Sequence, residues 1–103
     1  MEEAATSDSL QVRVEPATLE DLDQLVSFVM ELLELENDFA PDRRRQEHGL
    51  RLILEQPNRG RIFVVRNDHA IVGMVNLLFT ISTAAGGFAV HMEDVFIHPD
   101  HRR

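Results

Sequence analysis

The residues best suited to chemistry lie near the end of the sequence, where His91, Glu93, His98 and His101 fall within eleven residues. Imidazole and carboxylate groups are good ligands for Zn²⁺ or Fe²⁺. His91 and Glu93 share one face of a strand, but Pro99 redirects the chain after His98, so the spacing does not bring all four groups together. A metal-binding domain is therefore the weaker interpretation of this stretch, and we assign no metal ligand.

Two arginines, Arg102 and Arg103, end the sequence directly after that stretch. Guanidinium groups donate paired hydrogen bonds to anionic oxygens, so a phosphate-bearing ligand would suit them. Plain solvation accounts for two terminal arginines equally well. All ten basic residues of the chain are arginine, which excludes a catalytic lysine, and the absence of cysteine excludes thiolate nucleophiles and disulfides.

The formal charge of −8 argues against nucleic acid as a partner, because an acidic surface repels the phosphates that Lys and Arg must neutralise. The most apolar stretch, Ala70 to Ile81, is interrupted by polar residues and is too short to span a bilayer. The N-terminus has neither the basic nor the apolar region of a secretory signal. We therefore expect a cytoplasmic protein with no nucleic-acid and no membrane partner.

The elements that must position these residues follow from hydrophobic periodicity and turn signals. Residues 1–9 are predicted to be a flexible tail, and residues 10–103 form part of one domain. The predicted elements are a strand over Leu10–Glu15, a helix from Thr18 to about Leu35, a helix around Leu50–Leu54, and strands over Arg61–Arg66, Ala70–Ile81 and Ala89–His98. Short turns favour antiparallel neighbours, so the fold class is α+β: strand-helix-helix followed by a three-stranded antiparallel meander.

The stretch from Glu93 to Arg102 resembles the GNAT superfamily of acetyl-CoA-dependent N-acetyltransferases. In that family a strand of the form Glu-Asp-apolar-apolar-Val leads to His-Pro-Asp or Glu, an aromatic residue, and then Arg/Gln-x-x-Gly-x-Gly/Ala. Arg102 fits the first position of the last motif, His101 takes the place of the aromatic residue, and the glycines would come after Arg103. The predicted element order also matches the N-terminal half of the family's domain.

The resemblance implies a domain truncated within its acetyl-CoA-binding motif, with little or no activity for these 103 residues alone. It also implies acetyl-CoA as co-substrate. The main chain of Val95, Phe96 and Ile97 would hold the pantetheine arm as peptides add to a sheet edge, and Arg102 and Arg103 would meet the phosphates.

Acetyl transfer needs a neutral amine, and Glu93 occupies the position where many members of the family carry the base. A surface or salt-bridged carboxylate is the alternative for Glu93. Asp94 would point to the opposite face of a regular strand, and the main-chain N–H of Val95 would meet the thioester oxyanion. The chain has no tyrosine, so the family's thiolate-protonating role cannot be assigned.

The acceptor would be an amine of a small molecule or protein, bound in the family partly by the first two helices and their connection. Glu34 and Glu36, with Glu31 and Asp38, make a cationic acceptor such as a polyamine, an aminoglycoside or a basic side chain a reasonable hypothesis. An ordinary solvated helix end also explains these charges.

Folds of this kind also host sensors, so a non-catalytic binding module remains an alternative of a different class. A homodimer, or a complementing chain that supplies the glycine loop, is a further alternative.

Overall fold

The computed structural model describes residues 12–36 and 40–101, and these form two helices packed on an antiparallel sheet. The helices are α1 (Leu22–Glu36) and α2 (Arg43–Glu55), and the strands are β1 (Val12–Pro16), β2 (Gly60–Asn67), β3 (Ala70–Ser82) and β4 (Gly87–Ile97). Short 3-10 turns at Leu19–Asp21 and Pro99–His101 precede α1 and follow β4. The predicted α+β class and element order are confirmed. The predicted tail at residues 1–9 lies outside the described residues.

The sheet has the strand order β1-β2-β3-β4, and every neighbouring pair is antiparallel. The predicted meander of β2, β3 and β4 is therefore present, and β1 adds a fourth strand beside β2. In the part of the chain that the structure describes, β4 pairs with β3 and forms one edge of the sheet. This edge strand includes Glu93 to Ile97, the first residues of the stretch that resembles the family.

Acidic side chains fix the start of each helix. The main-chain N–H of Thr18 donates to the carboxylate of Asp21 at 2.9 Å, which is one of the hydrogen bonds of a capping box. Asp42 caps α2, because its side chain accepts from the main-chain N–H groups of Arg44 at 3.1 Å and Arg45 at 3.4 Å. These caps set where the helices begin, and so where they lie against the sheet.

Both helices cover the same face of the sheet and enclose the core with it. Helix α1 contributes the widest apolar stripe, as its periodicity predicts. The buried core residues are Leu22, Leu25, Val26, Phe28, Val29, Leu50, Ile62, Val64, Met74 and Phe96. The rings of Phe28 and Phe96 stack with centroids 4.7 Å apart, which ties the edge strand β4 to α1.

The opposite face of the sheet carries apolar side chains that remain exposed among the described residues. The side chains of Val14, Phe88, Val90, Met92 and Val95 are all at least half exposed to solvent. Four of these five side chains belong to β4, so exposed apolar surface is concentrated at that edge of the sheet. None of the helices described within residues 12–36 and 40–101 is long and apolar enough to cross a membrane.

Candidate functional site

A bulge in β4 sets the position of the two candidate acids. Asn76 pairs with Asp94 across β3 and β4, but its neighbour Leu77 pairs with Met92, so Glu93 is an extra residue in β4. A bulge breaks the strict alternation of side chains along a strand. The expectation that Glu93 and Asp94 point to opposite faces is therefore wrong, because it assumed a regular strand.

Glu93 and Asp94 instead line one cleft between α2 and the β3–β4 pair, here called the carboxylate cleft. Its volume is about 260 Å³. Arg45, Gln46 and Gly49 contribute to its wall from α2, and Asn76 contributes from β3. Two carboxylates therefore stand together at the sheet edge, on the face that the helices cover.

Asp94 is half-buried and accepts a hydrogen bond of 3.1 Å from Nδ2 of Asn76. Burial raises the pKa of the Asp94 carboxyl, and the neighbouring charge of Glu93 raises it further, whereas the hydrogen bond from Asn76 lowers it. Asn76 itself is only 3% exposed. Its Oδ1 is buried and has no hydrogen-bond partner among the described residues.

Glu93 is exposed, and its Oε1 lies 2.7 Å from Nε2 of His91. Both side chains are accessible to solvent, at 61% for His91 and 48% for Glu93. An accessible carboxylate beside an imidazole can accept a proton from a bound molecule and pass it on toward solvent. The arrangement thus supplies one exposed acceptor, Glu93, and one half-buried acceptor, Asp94.

After the bulge, the main-chain N–H and C=O groups of successive β4 residues point alternately toward β3 and toward the outer edge of the sheet. The N–H of His98 donates to the carbonyl of Val72 at 2.8 Å, so the main-chain N–H of His98 points toward β3. By the same alternation the main-chain N–H of Phe96 points toward β3, and the main-chain N–H of Val95 points toward the outer edge of the sheet. The carbonyl oxygen of Phe96 lies 3.0 Å from where a Cβ on Gly73 of β3 would stand, in agreement with this direction.

The remaining predicted site residues fall in different places. The side chain of Phe96 is in the core, Val95 is half exposed, and Ile97 is partly buried. Glu34 and Glu36 are exposed at the end of α1, and the structure does not bring them into the described lining of the carboxylate cleft. Asp38, Arg102 and Arg103 lie outside the described residues.

The metal alternative gains no support from the geometry. Within residues 12–36 and 40–101, no group of three or more His, Asp or Glu side chains is arranged to hold a metal ion. The rings of His98 and His101 meet edge to face with centroids 6.0 Å apart, whereas His91 contacts Glu93.

Sequence reasoning missed Asn76 and Gly49. The signal for Asn76 was present, since it is a polar residue in the middle of the apolar stretch that became β3. Gly49 lies within α2, where glycine is unfavourable, and a helix glycine often marks space that something else needs.

Comparison with known proteins agrees with the family resemblance of the sequence. A family model described as "Acetyltransferase (GNAT) family" matches residues 28–103. No curated protein matches the chain.

Several solved structures share the fold. A possible acetyltransferase from Clostridium difficile 630 is 18% identical with a TM-score of 0.83, and the match covers 90% of this chain and 61% of that one. An integron cassette protein from the mobile metagenome of Cole Harbour Salt Marsh is 28% identical with a TM-score of 0.79, over 95% of this chain and 62% of that one.

A predicted acetyltransferase with acetyl-CoA from Clostridium acetobutylicum is 15% identical with a TM-score of 0.72, over 88% of this chain and 62% of that one. This chain therefore spans about three fifths of the length of the solved structures it resembles.

Proposed function

This chain belongs to the acetyltransferase (GNAT) family, and we propose that it carries the catalytic strand of an acetyl-CoA-dependent N-acetyltransferase acting on an amine. Family membership supports acyl transfer in general. The observation that carries the finer proposal is the bulge at Glu93, which places Glu93 and Asp94 in one cleft beside the outward-facing main chain of Val95.

Acetyl-CoA supplies the acetyl group as a thioester. We place its pantetheine arm, which contains two amides, beside the outer edge of β4 at Val95, where an added strand would lie. A structural neighbour was solved with acetyl-CoA, which supports this co-substrate. The predicted main-chain contact of Ile97, and the phosphate contacts of Arg102 and Arg103, remain predictions of the family resemblance. The main chain of Phe96 faces β3, so the predicted contact of Phe96 with the pantetheine arm does not fit this geometry.

The residues of the cleft divide the proton and charge transfers between them. An alkyl ammonium has a pKa of roughly 10, so it must lose a proton before its nitrogen can attack. Glu93 accepts that proton, and the N–H of Val95 donates to the acetyl oxygen as negative charge develops there. Glu93 releases this first proton to solvent. As the nitrogen–carbon bond forms and the carbon–sulfur bond breaks, Glu93 accepts the second proton that the nitrogen must lose and passes it to the thiolate. The products are the amide and the free thiol of coenzyme A, with one proton released to solvent.

Glu34 and Glu36 stay a candidate for binding a cationic acceptor. They are exposed and their charge favours a cation nearby, although they stand outside the described lining of the carboxylate cleft. Charge reversal of both residues is expected to raise the KM for an amine acceptor if they bind it, and an unchanged KM would remove them from the site.

Calorimetry with acetyl-CoA tests the proposal, on the 103-residue chain and on the full product of its gene. We expect saturable binding of one acetyl-CoA per chain by the gene product. The variant Glu93→Gln should keep that affinity and lower kcat by about 10²-fold or more, the range for loss of a general base. Absence of acetyl-CoA binding by the gene product would instead favour a non-catalytic module.

The prediction that these 103 residues alone have little or no activity stays part of the proposal, and it is tested by measuring acetyl transfer by the 103-residue chain and by the gene product under the same conditions. His91→Gln is the matched control for Glu93→Gln, since it changes the neighbouring group and leaves the carboxylate. If both variants lower kcat equally, the role of Glu93 as base is contradicted.

A further inference from the structure

A second cleft continues from the carboxylate cleft along α2. It has a volume of about 360 Å³ and is here called the hydrophobic cleft, because its walls include Leu52, Ile53, Leu78 and Phe79. The two clefts share Gly49, Ile53 and Leu78 in their linings, so they adjoin along α2, and together they are here called the groove. One end of this groove is acidic and the other is apolar.

Gly49 keeps the groove open at the point where the two clefts join. A Cβ on this residue would meet nothing within 4 Å, so α2 leaves free space there. Glycine in a helix interior is less favourable than every other residue except proline. Free space at an unfavourable helix residue, between an acidic and an apolar region, suits a ligand that extends from one region into the other.

The acidic end of the groove offers three hydrogen-bond acceptor groups to a ligand. Glu93 and Asp94 provide carboxylates, and the Oδ1 of Asn76, on a residue 3% exposed, has no partner in the described part of the chain. A primary ammonium or amine has several N–H donors and no competing acceptor while protonated. Since an unsatisfied buried acceptor destabilises the folded state, an amine donor at Asn76 would offset that penalty.

Two guanidinium groups also line the groove and disfavour a second ammonium beyond the one that the two carboxylates balance. Arg45 lies in the lining of the carboxylate cleft and pairs with Asp42 at 3.8 Å, and Arg59 lies in the lining of the hydrophobic cleft. A polyamine would have to place its further ammonium groups against apolar side chains or near these guanidinium groups, and both placements are unfavourable.

Resting on the acetyl transfer proposed above, we propose that the acceptor is a primary monoamine on an apolar body. Its amino group binds at Asp94, Glu93 and the Oδ1 of Asn76, and its apolar body occupies the hydrophobic cleft past Gly49. This substrate class differs from the polyamines and aminoglycosides that the acidic end of α1 favours.

Titration calorimetry with three probes tests the inference on the full gene product. The probes are 2-phenylethylamine, the polyamine spermidine, and 2-phenylethanol, which keeps the apolar body and lacks the amino group. We expect 2-phenylethylamine to bind at least tenfold more tightly than either of the others. Equal or tighter binding of spermidine, or equal binding of 2-phenylethanol, would overturn the inference, as would absence of 2-phenylethylamine binding.

Variants assign the two ends of the ligand. Asp94→Asn should weaken 2-phenylethylamine at least tenfold and leave 2-phenylethanol unchanged. Gly49→Leu, which fills the junction with a good helix former, should weaken 2-phenylethylamine at least tenfold. Leu52→Gln, at a residue 42% exposed and outside the core cluster, tests the apolar end if the Gly49 variant does not fold.

Leu35→Gln is the matched control for Leu52→Gln, because Leu35 is 66% exposed on α1 and absent from the described linings of both clefts. It should leave every affinity unchanged, and a loss equal to that of Leu52→Gln would overturn the placement of the apolar body. Acetyl-CoA is titrated separately. A chain that binds 2-phenylethylamine in the expected pattern but not acetyl-CoA has the amine site without the proposed transfer activity.

Discussion

The side-chain amide of Asn76 donates a hydrogen bond of 3.1 Å to the carboxylate of Asp94, and the two residues face each other in register across β3 and β4. The pair leaves the Oδ1 of Asn76 buried without a partner in the described part of the chain. It also holds Asp94 where burial raises the pKa of its carboxyl. The half-buried carboxylate of Asp94 is suited to binding a cation, and its negative charge lowers the stability of the folded protein when no cation is bound.

Asp94→Asn is therefore expected to stabilise the protein at neutral pH. The introduced amide keeps an oxygen that can accept from Asn76 and removes a carboxylate charge that burial disfavours, a gain on the order of 1 kcal/mol. Urea denaturation at pH 7 measures the free energy of unfolding. Glu93→Gln, at an exposed carboxylate, is the control and should change it by less than about 0.5 kcal/mol. A less stable Asp94→Asn variant contradicts this account.

The pH dependence of stability gives an independent prediction from the same residue. Because the folded pKa of Asp94 lies above its unfolded value, the folded state binds more protons between the two values. The contribution of Asp94 to stability therefore falls as the pH rises through that window, above the ordinary range of Asp. Urea denaturation as a function of pH should show this fall in the parent chain and a smaller one in Asp94→Asn. Identical profiles would show that Asp94 is not the group responsible.

The strands and helices were predictable because each depends on local patterns. Alternating residues defined β1, β-branched residues defined β2, and apolar residues at helical spacing defined α1. Asn67-Asp68 marked the hairpin turn, where Asp68 has φ of 58°. The bulge at Glu93 was not predictable in this way. It is a property of the pairing between β4 and β3, and nothing within β4 alone determines which residue lacks a partner.

Some residues of the candidate site were recognisable from the sequence, and others depend on tertiary contacts. Glu93 and Val95 could be selected from the sequence, because they lie in the motif that resembles the family. The contact between Asn76 and Asp94 spans 18 positions and exists only in one register of the hairpin. The groove along α2 depends on how a helix packs on the sheet, so Leu52 carried no recognisable signal, and the signal of Gly49 was limited to its being a glycine within a helical stretch.

Loss of Arg66 is expected to destabilise the fold far more than loss of an exposed arginine. Its guanidinium, 16% exposed, pairs with the carboxylates of Asp21 at 3.1 Å and of Glu15, and the Asp21 side chain is only 9% exposed. Arg66→Met leaves Asp21 buried without its partner, which costs about 3 kcal/mol. Arg51→Met is the control, because Arg51 pairs with Glu47 on the surface and such pairs contribute about 0.5 kcal/mol. Thermal and urea unfolding compare the two, and equal losses contradict the prediction.

The same cluster predicts an acid-dependent loss of stability. Hydrogen bonds from Arg66 and Arg13 lower the pKa of Glu15. A carboxyl whose folded pKa lies below its unfolded value contributes stability above the unfolded pKa, and that stability is lost as the pH falls through the folded one. Arg66→Met should therefore show a shallower loss of stability on acidification than the parent chain. An equally steep loss would assign the effect to other carboxyls.

Two glycines are expected to respond in opposite directions to alanine. A Cβ on Gly60 of β2 would lie 2.8 Å from the carbonyl oxygen of Leu77, which is fixed main chain in β3, so Gly60→Ala should destabilise by about 1–3 kcal/mol. A Cβ on Gly49 meets nothing within 4 Å, so Gly49→Ala should stabilise α2 by about 0.5–1 kcal/mol. Urea denaturation of both variants decides this, and the same sign for both would contradict it.

Val95→Pro tests the main-chain donor that the proposed reaction requires. The N–H of Val95 faces the outer edge of β4, so proline removes it without taking a hydrogen bond from the β3 ladder. Val95→Ala shortens the side chain and keeps the N–H, which makes it the matched control. If the N–H stabilises the developing oxyanion, kcat should fall about 10²-fold in the proline variant and stay near the parent value in the alanine variant. Circular dichroism confirms that both fold, and equal kcat values for the two folded variants would mean that another group meets the oxyanion.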